Sequence, residues 1–217
     1  MPVKLSSTGG GSVTLTTPST ATDYTATFPA NTGDVVTDSA TQTLTNKTLT
    51  SPTIGGTPVM SASVITSGTA QASTSGTSIS FTGIPSWVKR ITVMFREVST
   101  NGTSRVIVQL GSTTFTTSGY GAAGASVYGG ASAANLGSGQ GFIIEAASAT
   151  EQRNGLMILT NFSGNVWCGM SAFGNSGGTA GFGGGFISLT GTLDRVRITT
   201  VNGTDAFDAG SINILYE

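Results

Sequence analysis

The sequence predicts an all-β protein with an extended N-terminal part and a C-terminal antiparallel β-sandwich. Glycine accounts for 32 of the 217 residues, and only 9% of the residues are charged. The apolar residues, 37% of the chain, fall into short runs separated by turn residues, which is typical of strands. Within residues 44–64 they recur with a period of five, which fits neither a helix nor a straight strand.

Residues 1–33 are predicted to form an anchor that contains a pair of short strands. Residues 12–16 and 24–28 alternate polar and apolar side chains, and Pro18 and Pro29 follow them. A two-stranded pair is not stable alone, so we expect this segment to associate with other copies or to dock on another protein. Because it begins without the apolar run of a signal peptide, and 18 apolar residues nowhere follow one another, neither secretion by that route nor membrane insertion is expected.

Residues 34–66 are predicted to form an intertwined shaft of three identical chains. The apolar side chains that would line its axis are Leu44, Leu49, Ile54, Val59 and Val64. Each would contribute about 1.5–3 kcal/mol on burial, which does not offset a backbone entropy cost of about 1–2 kcal/mol for every residue of a single thread. Three chains around one axis would share an apolar core. The alternative is a disordered Ser/Thr-rich linker with a coincidental spacing.

Residues 67–76 are predicted to be a linker, and residues 77–217 a globular knob. About nine apolar or alternating runs predict its strands: residues 79–81, 91–96, 105–110, 142–146, 156–160, 166–173, 186–189, 193–200 and 212–216. Asn101-Gly102 predicts a hairpin between the second and third runs. Because several other connections are turn-sized, we expect an antiparallel, jelly-roll-like sandwich.

Two connections in the knob, residues 117–141 and 174–185, are long and rich in Gly, and we expect them to be loops. They carry the isolated aromatic residues Tyr120, Tyr128 and Phe182. Because long loops in compact domains are commonly functional, these side chains are the predicted surface contacts, where their rings would stack on sugars. The alternative is that they pack beneath the loops or between subunits.

Catalytic chemistry is not expected. The chain has no histidine, which excludes a histidine base, an imidazole metal ligand and a Ser-His or Cys-His nucleophile. Glu145, Glu151 and Asp194 are the candidates for a paired-carboxylate glycosidase, but solvated surface charges explain them better. We therefore predict that the protein is not an enzyme, with no catalytic residue and no cofactor.

Metal and nucleic-acid binding are not expected either. Asp205 and Asp208 match no calcium-loop spacing, and an Asx turn is the preferred interpretation. The net charge of −1 provides no basic surface for nucleic acid. Cys168 is the single cysteine and is predicted to be a buried thiol, and Trp87 is predicted to be a core residue rather than a sugar-stacking one.

Several segments resemble parts of tailed-bacteriophage fibres. Residues 33–38, GDVVTD, and residues 42–54, QTLTNKTLTSPTI, resemble the shaft motif that recurs in tail fibres and other virion appendages of these phages. Residues 11–18 and 28–33 are similar to repeats in the same fibres, and residues 207–216 resemble the last strand of their knob domains. The middle of the chain matches only in its pattern.

The resemblance implies a virion protein, made in the host cytoplasm, that trimerises through its shaft. Its N-terminal segment would contact other virion proteins, and its distal sandwich would face the host, with a surface glycan as the expected partner. Host attachment by a short homotrimeric fibre is the preferred interpretation. A decoration protein or head fibre on the capsid surface is the first alternative, and a glycan-degrading tailspike is the second.

Overall fold

The structure, a computed structural model, describes residues 3–6, 8–15, 48–56, 65–128, 131–144 and 149–217. Every regular element in these ranges is a β-strand, and all strand pairs are antiparallel. The same ranges contain no helix with the length and hydropathy needed to cross a membrane. The predicted all-β class is therefore confirmed.

The chain divides into two compact units, Met1–Pro58 and Val59–Glu217. The described strands are, in chain order, β1 (Val3–Ser6), β2 (Ser12–Leu15), β3 (Thr66–Ser67), β4 (Gln71–Ala72), β5 (Ser78–Thr82), β6 (Arg90–Thr100), β7 (Val106–Ser112), β8 (Thr114–Phe115), β9 (Gly121–Tyr128), β10 (Ala131–Ser138), β11 (Phe142–Ile143), β12 (Arg153–Ser163), β13 (Val166–Asn175), β14 (Ala180–Ser188), β15 (Arg195–Thr200) and β16 (Phe207–Tyr216).

The N-terminal unit contains the hairpin β1–β2, in which Val3 is paired with Leu15. Gly10, in the connecting turn, has a φ of 85°, which favours glycine there. The strand predicted at residues 12–16 is thus present, and β1 is its partner. The predicted second strand, residues 24–28, lies outside the described residues.

The C-terminal unit is an antiparallel sandwich of two sheets. The strand order of the large sheet is β10-β9-β14-β13-β12-β6-β16-β3, with β4 also paired to β16. The small sheet has the order β11-β7-β15-β5, with β8 also paired to β7. Alternate side chains of both sheets point into one shared core, as their period of two requires. Its fully buried members include Ile91, Val93 and Leu159 from the large sheet and Val108, Leu110, Val196 and Ile198 from the small sheet.

The hairpin predicted at Asn101-Gly102 does not form. β6 pairs with β12 and β16 in the large sheet, whereas β7 pairs with β15 and β11 in the small sheet. The connection between β6 and β7 therefore crosses from one sheet to the other. The carboxylate of Asp205 holds this crossing in place by accepting a hydrogen bond of 2.8 Å from the backbone N–H of Ser104.

The segment 67–76, expected to be a linker, lies along the edge of the large sheet. Ser67 and Ala72 are within β3 and β4, which pair with β16. The buried hydroxyl of Ser73 donates a hydrogen bond of 2.8 Å to the carbonyl oxygen of Ala209. The sandwich thus begins at β3, and the chain enters it beside Tyr216, at the end where β16 finishes.

The two predicted long loops are largely strands, which corrects the sequence prediction. Residues 117–141 contain the hairpin β9–β10, and residues 174–185 contain the end of β13, a short turn and most of β14. The physical reason is the close approach of β11 to the inner side of these strands. A Cβ atom on Gly183 would lie 3.0 Å from the carbonyl oxygen of Ile143, so the strand needs glycine at that position.

Candidate functional site

Tyr120, predicted to be an exposed contact residue, is a core residue. Its side chain is only 5% exposed, and its ring packs edge-on against Phe142 with the ring centroids 5.2 Å apart. Its hydroxyl accepts a hydrogen bond of 2.7 Å from the backbone N–H of Leu110 and donates one of 3.1 Å to the carbonyl oxygen of Thr116. Tyr120 is therefore unavailable to an external ligand.

Burial also determines the ionisation of Tyr120. Desolvation raises the pKa of this phenol from 10.0 to about 12, against smaller opposing effects of the Leu110 hydrogen bond and the positive charge of Arg197. The phenol is consequently neutral at neutral pH and remains a hydrogen-bond donor. Its place in the fold is structural.

Tyr128 and Phe182 are exposed, as predicted, but both lie on strands. Tyr128 is the last residue of β9 and follows Val127, which pairs with the first residue of β14, Ala180. Through the register of the large sheet, this end of β14 is level with the start of β12 and of β16. Tyr128 thus lies at the end of the sandwich opposite Thr66, where the chain enters.

Phe182 belongs to a broad surface that we call the apolar face. It comprises the outward-pointing, alternate residues of five neighbouring strands: 92–94 of β6, 154–160 of β12, 168–174 of β13, 180–186 of β14 and 121–127 of β9. Not one of these outward residues carries a charge. The large exposed side chains on it are Leu156, Met170, Phe182, Phe186 and Val127.

The predicted trimer axis is only partly within the described residues. Leu49 and Ile54 lie in the segment 48–56, which forms no strand or helix, and their side chains are 57% and 63% exposed in the single chain. Leu44, Val59 and Val64 lie outside the described residues. The two described members therefore have apolar surface that their own chain does not cover.

The carboxylates considered for glycan cleavage do not come together. Glu151 lies beside Asn175, whose amide donates a hydrogen bond to it just before β14 begins, whereas Asp194 follows the end of β14. A nine-residue strand spans about 30 Å, far beyond the roughly 5–9.5 Å that a glycosidase pair needs. Glu145 lies outside the described residues.

Asp194 is occupied by an ion pair. The guanidinium of Arg195 donates to it at 2.7 Å, and the backbone N–H of Thr113 donates at 3.1 Å. The hydrogen bond from Arg195 is the main reason why the pKa of Asp194 lies below its usual value, with the Thr113 hydrogen bond adding to the effect. This carboxylate is therefore a fixed anion rather than a proton donor.

Asp205 and Asp208 each take part in local hydrogen bonds. Asp205 accepts from Ser104 N–H and from the side-chain amide of Asn202, and Asp208 accepts from the hydroxyl of Ser99. The side-chain oxygen of Asn202 accepts from the N–H groups of Thr204 and Asp205, so the turn is an Asx-type turn built on Asn202. Among the residues that the structure describes, no cluster of three or more acidic, Cys or His side chains could hold a metal ion.

A polar pocket on the outer side of the small sheet was not predicted from the sequence. Arg197 Nε donates a hydrogen bond of 2.9 Å to Oε1 of Gln109, and its guanidinium carbon lies 4.4 Å from the ring centroid of Phe115. Desolvation lowers the pKa of Arg197, although the group remains charged. The pocket has a volume of about 250 Å³, and its walls include Thr199 and Asn202. Its hydrogen-bonding groups suit a polar ligand such as a sugar.

Two further side chains differ from the sequence prediction. Trp87, predicted to be in the core, is 54% exposed, and its ring lies 5.9 Å from that of Tyr216. Its neighbour Val88 is the buried one. Cys168, predicted to be buried, is exposed because the alternation of β13 turns it to the apolar face, whereas Trp167 points into the core.

The described part of the C-terminal unit thus forms an antiparallel β-sandwich, with the apolar face on five strands of the large sheet and a polar pocket on the small sheet. Comparison with protein-family models, curated proteins and solved structures found no match to this chain. Its function is inferred from the residues and surfaces described above.

Proposed function

We propose that the chain is a structural, non-enzymatic protein of a bacteriophage virion, a short homotrimeric fibre used for attachment to the host surface. In this proposal the trimeric shaft starts at residue 34 and ends before β3, residues 1–33 bind other virion proteins, and the sandwich is the distal knob. The resemblance of residues 33–54 to phage fibre shafts supports the virion assignment. The partner on the host is a surface glycan.

The observation that carries this proposal is the exposure of the period-five stripe. Leu49 and Ile54 are more than half exposed within residues 48–56, a segment that forms no strand or helix and pairs with no described strand. A monomer gains nothing from this regular apolar spacing, because nothing in the segment covers the side chains. Two more copies of the same stripe would cover them, since identical side chains would meet around a common axis.

The end of the sandwich that is remote from Thr66 has the groups suited to a glycan. Tyr128 is exposed there, and the Thr200–Gly203 wall of the polar pocket lies at the same end. Aromatic rings stack on sugar rings, while Arg, Gln and Asn side chains hydrogen-bond to sugar hydroxyls. Three copies of a weak site would act together through avidity.

The shaft is tested by Ile54→Asp in the full-length protein. Three carboxylates around one axis would suffer both desolvation and mutual repulsion, a cost of at least several kcal/mol per trimer. We expect light scattering to give about three times the 21.7 kDa chain mass for the wild type and a lower mass for the variant.

Thr53→Asp is the matched control, because it adds the same charge beside the stripe rather than on it. This variant should remain trimeric. A trimer from Ile54→Asp, or a wild-type monomer, would contradict the shaft proposal.

Location on the particle is tested separately, by labelling intact virions with an antibody against the sandwich. Label at the tail supports the attachment fibre. Label spread over the capsid would instead support the decoration protein or head fibre. A purified protein that releases new reducing ends from host polysaccharide would contradict the non-enzymatic assignment.

A further inference from the structure

We propose that the apolar face of the large sheet is buried against a second copy of this chain in the assembled protein. This inference rests on the proposed self-association of the chain. It adds a second contact, between the sandwiches, to the contact along the shaft. Phe182 would then face a neighbouring subunit rather than the host.

The side chains on this face are those of an interior, not of an outer surface. Met170 is 60% exposed, and Phe182 and Phe186 are also more than half exposed, although all three are on regular strands in the middle of the sheet. Exposed faces of antiparallel sheets normally alternate polar side chains with the buried ones. Here both sides of β13 and β14 are apolar or small.

The area of the face is suited to a subunit contact. Four strands contribute four outward residues each and β6 contributes two, and at spacings of about 4.8 Å between strands and about 6.8 Å along them these positions cover roughly 590 Å². This lies at the upper end of the roughly 300–600 Å² of the largest apolar patch on a typical monomer, a size at which such patches are often functional, and is about three quarters of the roughly 800 Å² that each partner buries in a stable complex.

The absence of charge on this face favours a copy of the same chain as the occupant. In a symmetric assembly the same residues of different copies approach one another near the axis, so a charge there would lie close to the same charge of another copy. The outward positions defined above have no charged residue. The two guanidinium groups at their margin on β6 each lie beside a carboxylate, Arg90 beside Glu217 at 3.0 Å and Arg96 beside Glu97 at 3.7 Å. Copies of the face therefore meet without repulsion.

The reactivity of the Cys168 thiol shows whether the apolar face is covered. It is the only cysteine of the chain, it is exposed in the single chain, and it lies on the apolar face between Thr160 and Phe186. A covered face protects this thiol from a reagent in solution, whereas an open face leaves it reactive. The labelling rate of this thiol thus distinguishes association through the sandwich from association through the shaft alone.

The test measures the mass of the native full-length protein by light scattering and the rate at which a maleimide labels it. We expect a trimer in which Cys168 reacts at least about 100-fold more slowly than in the denatured chain, because labelling then requires the interface to open. The control combines Cys168→Ser with Thr190→Cys, which puts the thiol at an exposed position outside the face. That thiol should react rapidly in the same assembly.

Met170→Glu places a carboxylate on the face two residues from Cys168, and Phe182→Glu does so on the next strand. Both should restore rapid labelling while circular dichroism of the sandwich stays unchanged, since both side chains are largely exposed in the single chain. Thr82→Glu adds the same charge at an exposed position of the small sheet and should leave Cys168 protected.

The outcomes distinguish this inference from the proposed shaft. A wild-type trimer whose Cys168 reacts as fast as the Thr190→Cys thiol overturns the inference and leaves the shaft intact. A dimer with a protected Cys168 supports the inference and contradicts the trimeric fibre. A monomer contradicts both.

Discussion

The hydroxyl of Tyr120 is the hydrogen-bond acceptor for the backbone N–H of Leu110, on the side of β7 where no strand residue is paired with Leu110. On one side of β7, Leu110 is paired with Val196 of β15, but on the other side β11 ends where Phe142 meets Val108. The Tyr120 oxygen accepts the Leu110 N–H at 2.7 Å, and the Thr116 N–H donates to the Leu110 carbonyl oxygen at 2.9 Å. A buried backbone group that would otherwise lack a partner is thereby satisfied.

Tyr120→Phe tests this role. Removing the hydroxyl leaves the buried N–H of Leu110 without its acceptor, so we expect the free energy of unfolding to fall by about 1–3 kcal/mol. Denaturant unfolding provides the measurement. Tyr128→Phe, which removes an exposed hydroxyl, should change it by less than about 0.5 kcal/mol. Equal effects of the two variants would mean that the hydrogen bond is not stabilising.

Alkaline pH should destabilise the sandwich through the same phenol. The pKa of Tyr120 is raised to about 12 in the folded chain, against 10.0 for an ordinary tyrosine. Its contribution to the free energy of unfolding is therefore complete below pH 10. As the pH rises towards 12, the free energy of unfolding falls by about 2–3 kcal/mol in total. Unfolding measured at pH 9 and pH 11.5 should show a smaller loss for Tyr120→Phe than for wild type. Parallel losses would refute the assignment.

Gly185 and Gly139 form a matched pair of glycines. A Cβ atom on Gly185 would lie 2.5 Å from the Gly121 carbonyl oxygen, whereas one on Gly139, which lies outside the apolar face, would have no neighbour within 4 Å. Because the backbone must shift to admit it, Gly185→Ala should cost about 1–3 kcal/mol of stability. Gly139→Ala should stay within about 0.5 kcal/mol of wild type. Thermal unfolding compares the two, and a tolerated Gly185→Ala would mean that this strand has room for side chains.

Tyr128→Ala tests the proposed host contact at the remote end of the sandwich. Because the ring is largely exposed, we expect unchanged mass and thermal midpoint but weaker adsorption to host cells. Avidity of three sites should enlarge the loss. Phe162→Ala is the control, since Phe162 is an exposed aromatic residue near the turn between β12 and β13, at the other end. Loss of adsorption only in Phe162→Ala would locate the contact there instead.

Local pattern predicted much of the sandwich. Ile91, Val93 and Phe95 alternate with more exposed neighbours, and all three lie in the core of β6. The side chains of a strand alternate between its two faces with a period of two residues. This alternation can be recognised in the sequence without knowing which strands pair with one another. The same reasoning failed at Asn101-Gly102, because a turn residue does not reveal whether the next strand pairs with the last one or enters the other sheet.

The sequence by itself determined the all-β class, the positions of most strands and the period-five stripe to which Leu49 and Ile54 belong, since these depend on residue type and spacing alone. Only the tertiary structure decided that the glycines around Phe182 form a strand, because the need for glycine comes from neighbouring strands, from β11 at Gly183 and from β9 at Gly185. It likewise decided that Tyr120 is buried while Cys168 is exposed. Burial depends on which strands become neighbours, and long-range pairing leaves no local mark in the chain.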